Sequence, residues 1–389
     1  MKFSVHKFGG SVLATIKGFE NLKSNILNST TKNAIIFSAI GKTSSELRNA
    51  IYLAEKNELD ESDRILSNIE NVHNFIAEKI LDRENLKKFN EDFSQILNNC
   101  RLIIKSVSIT NEVSGRTYDR FLAFGEDMTM ELMKFYLNST DENFFLDARK
   151  IIKTDSEFTN ARIESDKTLQ ALNSELLPLF DTYQNVFIQG FVGSDSSGNT
   201  TTMGFESSNL TATIIADYLN AEELSIWSDV EGIYSADPSD FSSAELISHL
   251  DYKTALNAGL AGLKLIYPEM IRIAEHKKIN LVYRNGNNFT NNFSIINNHE
   301  ICNSTLYILS ALTKDDSCPD FPYETKEFKS VVIINPEKSI IFEFLMRFYS
   351  IDIQRGAIVI LSGFSKDKMK VICKDANIAK SIVDGLLKI

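Results

Sequence analysis

The sequence predicts an α/β chain, in which a central, mostly parallel sheet carries helices on both faces and a smaller α+β unit follows. Three observations predict it. Short apolar runs of strand length alternate with segments of helical periodicity. A glycine pair, Gly9-Gly10, breaks the first apolar run at its end. An asparagine-rich stretch, 285–300, separates this series from a remainder with a different rhythm of strands and helices.

The elements follow in order. Residues 2–8 read as a strand, 15–27 as a helix, and the apolar run 33–39 as a buried strand, a βαβ order that implies parallel pairing. From 44 to about 110 the pattern turns helical and polar, with apolar residues three and four apart, as in ELRNAIYLAEK. A further helix is expected over 118–136, and strand-like NFFLDA follows at 143–148. A second βα series starts near 185: strand NVFIQGF, turn SDSSGN, an amphipathic helix over 208–219, and strand LSIWSD. Helices near 252–259 and 268–276 and a strand at 280–283 complete it. Beyond the asparagine-rich stretch, TLYILSAL, KSVVII, AIVILSG and KMKVICK read as strands, and SIIFEFLMRFY and ANIAKSIVDGLLK as helices. The expected division is one domain over 1–300, with a helical insertion at about 44–137, and a second over 301–389.

With 389 residues and 43% hydrophobic content, the chain can bury more than one core. A formal net charge of -11 argues against nucleic acid or an anionic membrane surface as a partner. Cys100, Cys302, Cys318 and Cys373 show neither CxxC spacing nor metal-ligand spacing with histidine, so reduced thiols and no bound metal are expected. No apolar run reaches the ~18 residues of a membrane span, and no secretory h-region opens the sequence, so a cytoplasmic protein is expected.

Five motifs carry chemistry. In KFGGS, two glycines after a strand let main-chain N–H groups approach a phosphate, and Lys7 adds positive charge; an ordinary Gly-Gly turn is the plainer alternative. SAIGKTSSEL sets Ser38, Thr43, Ser44 and Ser45 where they could hold a small anion or simply cap a helix. In FGEDMT, Glu126 lies on an apolar helix face, suited to an ammonium group or to a basic neighbour. The stretch 190–212 leads a Gly/Thr-rich hairpin into a helix start dense in Ser and Asn, either an anion site or a capped helix. IWSDVEGIYSADP ends a strand at Asp229 and continues through Gly232, Tyr234 and Asp237, at the strand end where open α/β sheets bind ligands or where a rigid turn would sit. GxGxxG and the Walker A loop are both missing after the first strand.

The ordered set KFGGS, SAIGKT, FGE, LDARKIIKTD, QGFVG…TTT, IWSDVEGIYSADP and GLKLIYP resembles aspartate kinase, of the amino acid kinase family, across about residues 1–285. The C-terminal unit resembles the ACT regulatory module of that family, with room for about one module where two are usual. The resemblance implies the amino acid kinase fold. It also implies phosphoryl transfer from ATP, with Mg2+, to the side-chain carboxylate of L-aspartate, giving 4-phospho-L-aspartate. Lys7 and Asn209 would be the catalytic positions. Lys7, Gly9, Gly10, Ser11, Ser228, Asp229, Tyr234, Asp237 and Lys264 would lie along the nucleotide. Ser38, Thr43, Glu126 and Ser208 would hold aspartate, with Glu126 facing its ammonium. An amino-acid effector and a homodimer joined through the ACT-like units are further implications.

The resemblance has gaps. The family's RGGSD element reads Phe205-Glu206-Ser207-Ser208-Asn209, so the arginine that would clamp the substrate carboxylate is Phe205 and the aspartate is Asn209. Val12 replaces a serine of the family, and Tyr267-Pro268 stands for its HP. These changes leave two further readings: a catalytically impaired homologue acting as an amino-acid-binding regulatory or sensor protein, and a kinase of the same fold acting on another carboxylate, carbamate or amino acid.

Overall fold

A computed structural model describes residues 2–26, 31–137, 142–204, 207–263, 265–288, 290–298, 306–311, 329–334, 359–365, 368–373 and 376–387. It resolves into two compact units, one of residues 1–230 with 279–291 and one of 231–278 with 292–389.

The first unit is built on β1 (Phe3–Phe8), β2 (Lys32–Phe37), β3 (Asn143–Leu146), β4 (Asn185–Gln189), β7 (Glu223–Ser228) and β11 (Asn280–Asn285), in the order β3-β4-β2-β1-β7-β11. Every pairing among them is parallel. β2 and β4 are buried almost along their whole length, as a sheet covered on both faces requires. Two short strands, β5 (Val192–Ser194) and β6 (Thr200–Thr202), form the expected hairpin, and Asp195 closes its turn by accepting from the Ser197 and Asn199 N–H groups.

The helical segment between β2 and β3 is five helices: Thr43–Glu55, Leu59–Ile80, Arg83–Thr110, Gly115–Leu122 and Phe124–Leu137. Their apolar stripes share one core with the sheet, joining Phe8, Val12 and Phe37 to Leu66, Phe89, Phe93 and Leu97. Phe89 and Phe93 stack at 5.0 Å, and burying each large side chain of this kind contributes about 1.5–3 kcal/mol. The helix expected over 118–136 is broken at Ala123, where one helix ends and the next begins.

In the second unit, β8 (Ile233–Tyr234) pairs antiparallel with β9 (Leu246–Ile247), and β10 (His249–Asp251) pairs parallel with β12 (Phe293–Asn297). β12 lies inside the asparagine-rich stretch; Ser294, Ile296 and Asn297 are buried there, so what reads as a linker by composition is sheet by structure. Helices Tyr252–Leu260 and Pro268–Lys277 follow the expected periodicity. The C-terminal strands β13 (Leu306–Ala311), β14 (Lys329–Ile334), β15 (Val359–Ser365) and β16 (Lys368–Cys373) form an antiparallel sheet, β13-β14-β16-β15. The helix Ala376–Leu386 buries Ile382 and Val383. The helix expected at SIIFEFLMRFY lies outside the described residues.

Candidate active site

β1 is central in its unit, so its carboxyl end is walled by β2 on one side and β7 on the other. The chain turns there at Gly9. The Gly9 N–H donates to Trp227 O at 3.0 Å, and the Ser38 N–H donates to Phe8 O at 3.1 Å. The Gly41 N–H donates to Gly10 O at 2.8 Å. A Cβ on Gly10 would stand 2.3 Å from Ala39 O, so only glycine lets these two loops approach so closely. The Lys7 ammonium folds back over the bend, 3.6 Å from where a Cβ on Gly9 would be.

The loop after β7 joins the same edge. Ser11 Oγ donates to Asp229 Oδ1 at 2.9 Å, and Asn285 Nδ2 donates to Asp229 O at 3.1 Å. Ser228 Oγ donates to Val230 O at 3.0 Å. Trp227 stacks on Phe8 with centroids 5.8 Å apart, and its indole N–H donates to His6 Nδ1 at 3.3 Å. Burial and the Arg284 charge hold that imidazole down at about 4, so it is a neutral brace beneath the bend. Lys7, Gly9, Gly10, Ser11, Ser228 and Asp229 are thus gathered on one edge. The cradle suits a polyphosphate through its close backbone and its ammonium, and the Ser11–Asp229 pair ties the two loops together.

A second group lies beyond β2. The Ala39 N–H donates to Glu126 Oε1 at 3.1 Å, and the Ile40 N–H to Thr129 Oγ1 at 3.1 Å, fixing the SAIGKT loop on the helix Phe124–Leu137. Gly125 permits that contact, since a Cβ there would meet Ala39 Cβ at 2.9 Å. Glu126 is 2% exposed and its Oε2 has no hydrogen-bond partner. Burial pushes its carboxyl up to about 8. A buried carboxyl with an unpartnered oxygen is costly unless a cationic group completes it. Thr43 donates its hydroxyl to Ile40 O at 2.6 Å, which leaves lone pairs rather than a proton for a ligand. Ser38 is half-buried in the same loop.

Ser208 and Asn209 begin the helix Ser208–Tyr218, pressed against the end of β4: a Cβ on Gly190 would lie 2.4 Å from Ser208 Cβ. Asn209 is buried and its Oδ1 has no hydrogen-bond partner. Tyr234 and Asp237 belong to the second unit. There Tyr234 reaches Glu231 at 3.5 Å, and Asp237 Oδ1 accepts from the Ser239 hydroxyl at 2.6 Å. Lys264 and Phe205 lie outside the described residues.

Two features escape the sequence reading. Asp119 is fully buried and accepts from the Thr159 N–H with both oxygens, from the Thr202 N–H at 2.9 Å and from the Thr202 hydroxyl at 2.7 Å. Burial raises its carboxyl and these donors pull it back. It secures one wall of a cavity of about 290 Å³ lined by Tyr118, Leu122, Thr159, Phe191, Thr202 and Gly204. Three of these hold left-handed backbone, Thr159 at φ 77°, Phe191 at φ 68° and Gly204 at φ 83°. For threonine and phenylalanine that geometry is strained, and strain of this kind gathers at functional sites. The one signal available is an acidic residue seven before Glu126 in sequence. The second feature is Arg149, which pairs bidentately with Asp127 at 3.0 and 2.9 Å, while Gln189 Nε2 donates to Asp127 Oδ1 at 3.0 Å. This network ties β4 to the helix that carries Glu126.

A protein-family model described as the amino acid kinase family matches residues 2–285. Lysine-sensitive aspartokinase 3 of Escherichia coli (strain K12) is 28% identical over 265 residues, covering 68% of this chain and 57% of that protein. The aspartokinase of Chlamydia pneumoniae is 28% identical over 268 residues, covering 69% and 56%. The chloroplastic bifunctional aspartokinase/homoserine dehydrogenase 2 of Zea mays is 26% identical over 290 residues, covering 73% and 31%. The match therefore spans between 31% and 57% of these relatives' length. Among solved structures, E. coli aspartokinase III in complex with aspartate and ADP shares the fold with a TM-score of 0.83 at 19% identity, covering 100% of this chain and 99% of that one.

Proposed function

The chain belongs to the amino acid kinase family, and on that premise we propose that it is an aspartate kinase, transferring the γ-phosphoryl group of ATP to the side-chain carboxylate of L-aspartate. The product is 4-phospho-L-aspartate, the first intermediate toward lysine, threonine and methionine. The observation that carries this reading is the stitching of the glycine bend to the loop after β7, through Gly9 N–H to Trp227 O and Ser11 Oγ to Asp229, with Lys7 folded over it. The relatives' names supply the acceptor, and Glu126 supplies a place for its ammonium.

In this reading a carboxylate oxygen of aspartate attacks the γ-phosphorus. The bond to the β–γ bridging oxygen breaks, and ADP leaves with that electron pair. The nucleophile is already ionised at neutral pH, so no general base is needed. Catalysis is positioning and charge neutralisation. Lys7 and the N–H groups of the bend meet the charge on the transferring group. Glu126 gives up its proton as the substrate ammonium docks. Mg2+ would be carried in on the phosphates of the nucleotide, as is usual where the ion serves phosphoryl transfer. When bound it would neutralise β- and γ-oxygen charge. Ser228, Asp229, Tyr234, Asp237 and Lys264 along the nucleotide, a cytoplasmic setting, an amino-acid effector and a homodimer through the C-terminal units belong to the same proposal. Among the described residues no helix is long and apolar enough to cross a membrane.

The test is purified protein with Mg-ATP, L-aspartate and hydroxylamine. ATP-dependent aspartyl hydroxamate is expected. ADP binding without product would overturn the enzymatic reading and leave an amino-acid-binding homologue.

A further inference from the structure

We infer that Arg48 supplies the cation that holds the acceptor's second carboxylate, in a groove that shares Tyr118 with the cavity held by Asp119. This inference rests on the aspartate-kinase reading. It begins with spacing: Tyr118, Leu122 and Glu126 stand four residues apart on helices that follow each other with only Ala123 between. Tyr118 and Leu122, on one helix, form one stripe. Both line the strained cavity held by Asp119, and Glu126, with its incompletely bonded carboxyl, stands on the helix that follows.

Tyr118 also lines a second, open groove of about 500 Å³, whose walls include Arg48, Asn49, Tyr52 and Glu55. Glu55 accepts from the Val113 N–H at 3.3 Å, which turns part of its charge toward the backbone. Among the described residues lining the two cavities, Arg48 is the one cation. Its charge acts on the Tyr118 phenol, offsetting part of the upward push of burial there. The helix Thr43–Glu55 that carries Arg48 starts at Thr43, whose methyl would lie 3.5 Å from a Cβ on Gly125, so one rigid element runs from the Glu126 neighbourhood to the groove.

An amino dicarboxylate offers three charged groups. One carboxylate must face the glycine bend to be phosphorylated, and Glu126 suits the ammonium. The remaining carboxylate needs a donor, and the family's arginine position is Phe205. A planar guanidinium matches a carboxylate with two parallel hydrogen bonds, so Arg48 fits that task in kind.

Calorimetric titration of the full chain, saturated with ADP, tests this without requiring turnover. The ligands are L-aspartate and its α-carboxamide, and the proteins are wild type, Arg48→Ala and Arg48→Lys, with melting curves to confirm folding. Wild type is expected to prefer aspartate over the α-amide by ~30-fold. Arg48→Ala should lose ~30-fold in aspartate affinity and leave α-amide affinity unchanged, and Arg48→Lys should recover part of the loss. Equal weakening of both ligands, an unchanged preference, or no aspartate binding to wild type would each overturn the inference. The two readings separate cleanly. The Arg48 pattern without hydroxamate formation sinks the kinase reaction and leaves the clamp, whereas hydroxamate formed equally well by Arg48→Ala, at an unchanged KM, sinks the clamp and leaves the kinase.

Discussion

The two halves of the site are made of different material. Around Gly9, Gly10 and Ser228 the working parts are mostly main chain, held by strand ends and by Gly10, which leaves no room for a side chain. Around Glu126 they are side chains, drawn from helices far apart in sequence and resting on buried polar groups such as Asp119. A backbone cradle depends on a few glycines and the order of strands. A side-chain site can be dismantled, or rebuilt from another direction, by single substitutions. In the resemblance to aspartate kinases, Phe205 and Asn209 replace family residues of the second half. On the proposed reading the chain keeps the cradle and varies the clamp.

Removing the cradle's charge should have the largest effect. Lys7→Ala is expected to lower kcat by roughly 10²–10³-fold, with little change in the KM for aspartate, in steady-state assays. A loss confined to aspartate KM would put Lys7 on the wrong half.

Glu126→Gln separates the halves further. It should raise the aspartate KM by ~10–100-fold and leave ATP binding intact. The same change should stabilise the protein. The folded-state carboxyl sits at about 8, above an unfolded value of ~4.3. The proton-bound form is favoured by the fold, so this contribution is complete below the unfolded value and is lost as the pH rises through about 8. Glu126→Gln should therefore melt higher than wild type above neutral pH and converge with it in acid. For the active enzyme the sign is opposite in function. Aspartate affinity should increase as the pH rises toward about 8, because only the ionised carboxylate pairs with the ammonium. Glu126→Gln should abolish that slope.

Much of this organisation is legible in the sequence, and the reason is physical. Strand ends followed by glycine mark close backbone approach, so the cradle can be read from KFGGS and from the strand leading to Asp229. The parallel order follows from alternating apolar periods. Asp119 is not legible in this way, because nothing local distinguishes a carboxylate that caps two distant loops from a solvated one. The strand at Phe293–Asn297 is hidden by asparagines, which favour turns by composition although Asn297 is here paired and buried. Arg48 looks like a surface residue on an amphipathic helix until the groove beside Tyr118 is seen.

Smaller effects sharpen the comparison. Asp119→Asn keeps the shape but presents an NH2 where two N–H groups and a hydroxyl already point, so a loss of about 1–3 kcal/mol in unfolding free energy is expected, with a weaker aspartate site. Chemical denaturation and the aspartate KM measure the two together. Restoring the family residues with Phe205→Arg and Asn209→Asp should raise turnover or aspartate affinity by a few-fold, a modest gain if Arg48 already serves the carboxylate. No change in either quantity would remove this helix start from the acceptor site.

The central claim is that one edge of the sheet holds the phosphates across the glycine bend while Glu126 holds the acceptor. A crystal structure with ADP and L-aspartate bound tests it most directly. The account predicts the β-phosphate within hydrogen-bond distance of the bend's N–H groups and of Lys7 Nζ, with the aspartate ammonium on Glu126. Phosphates seated away from Gly9–Ser11, or an aspartate whose ammonium finds another anion, would contradict it.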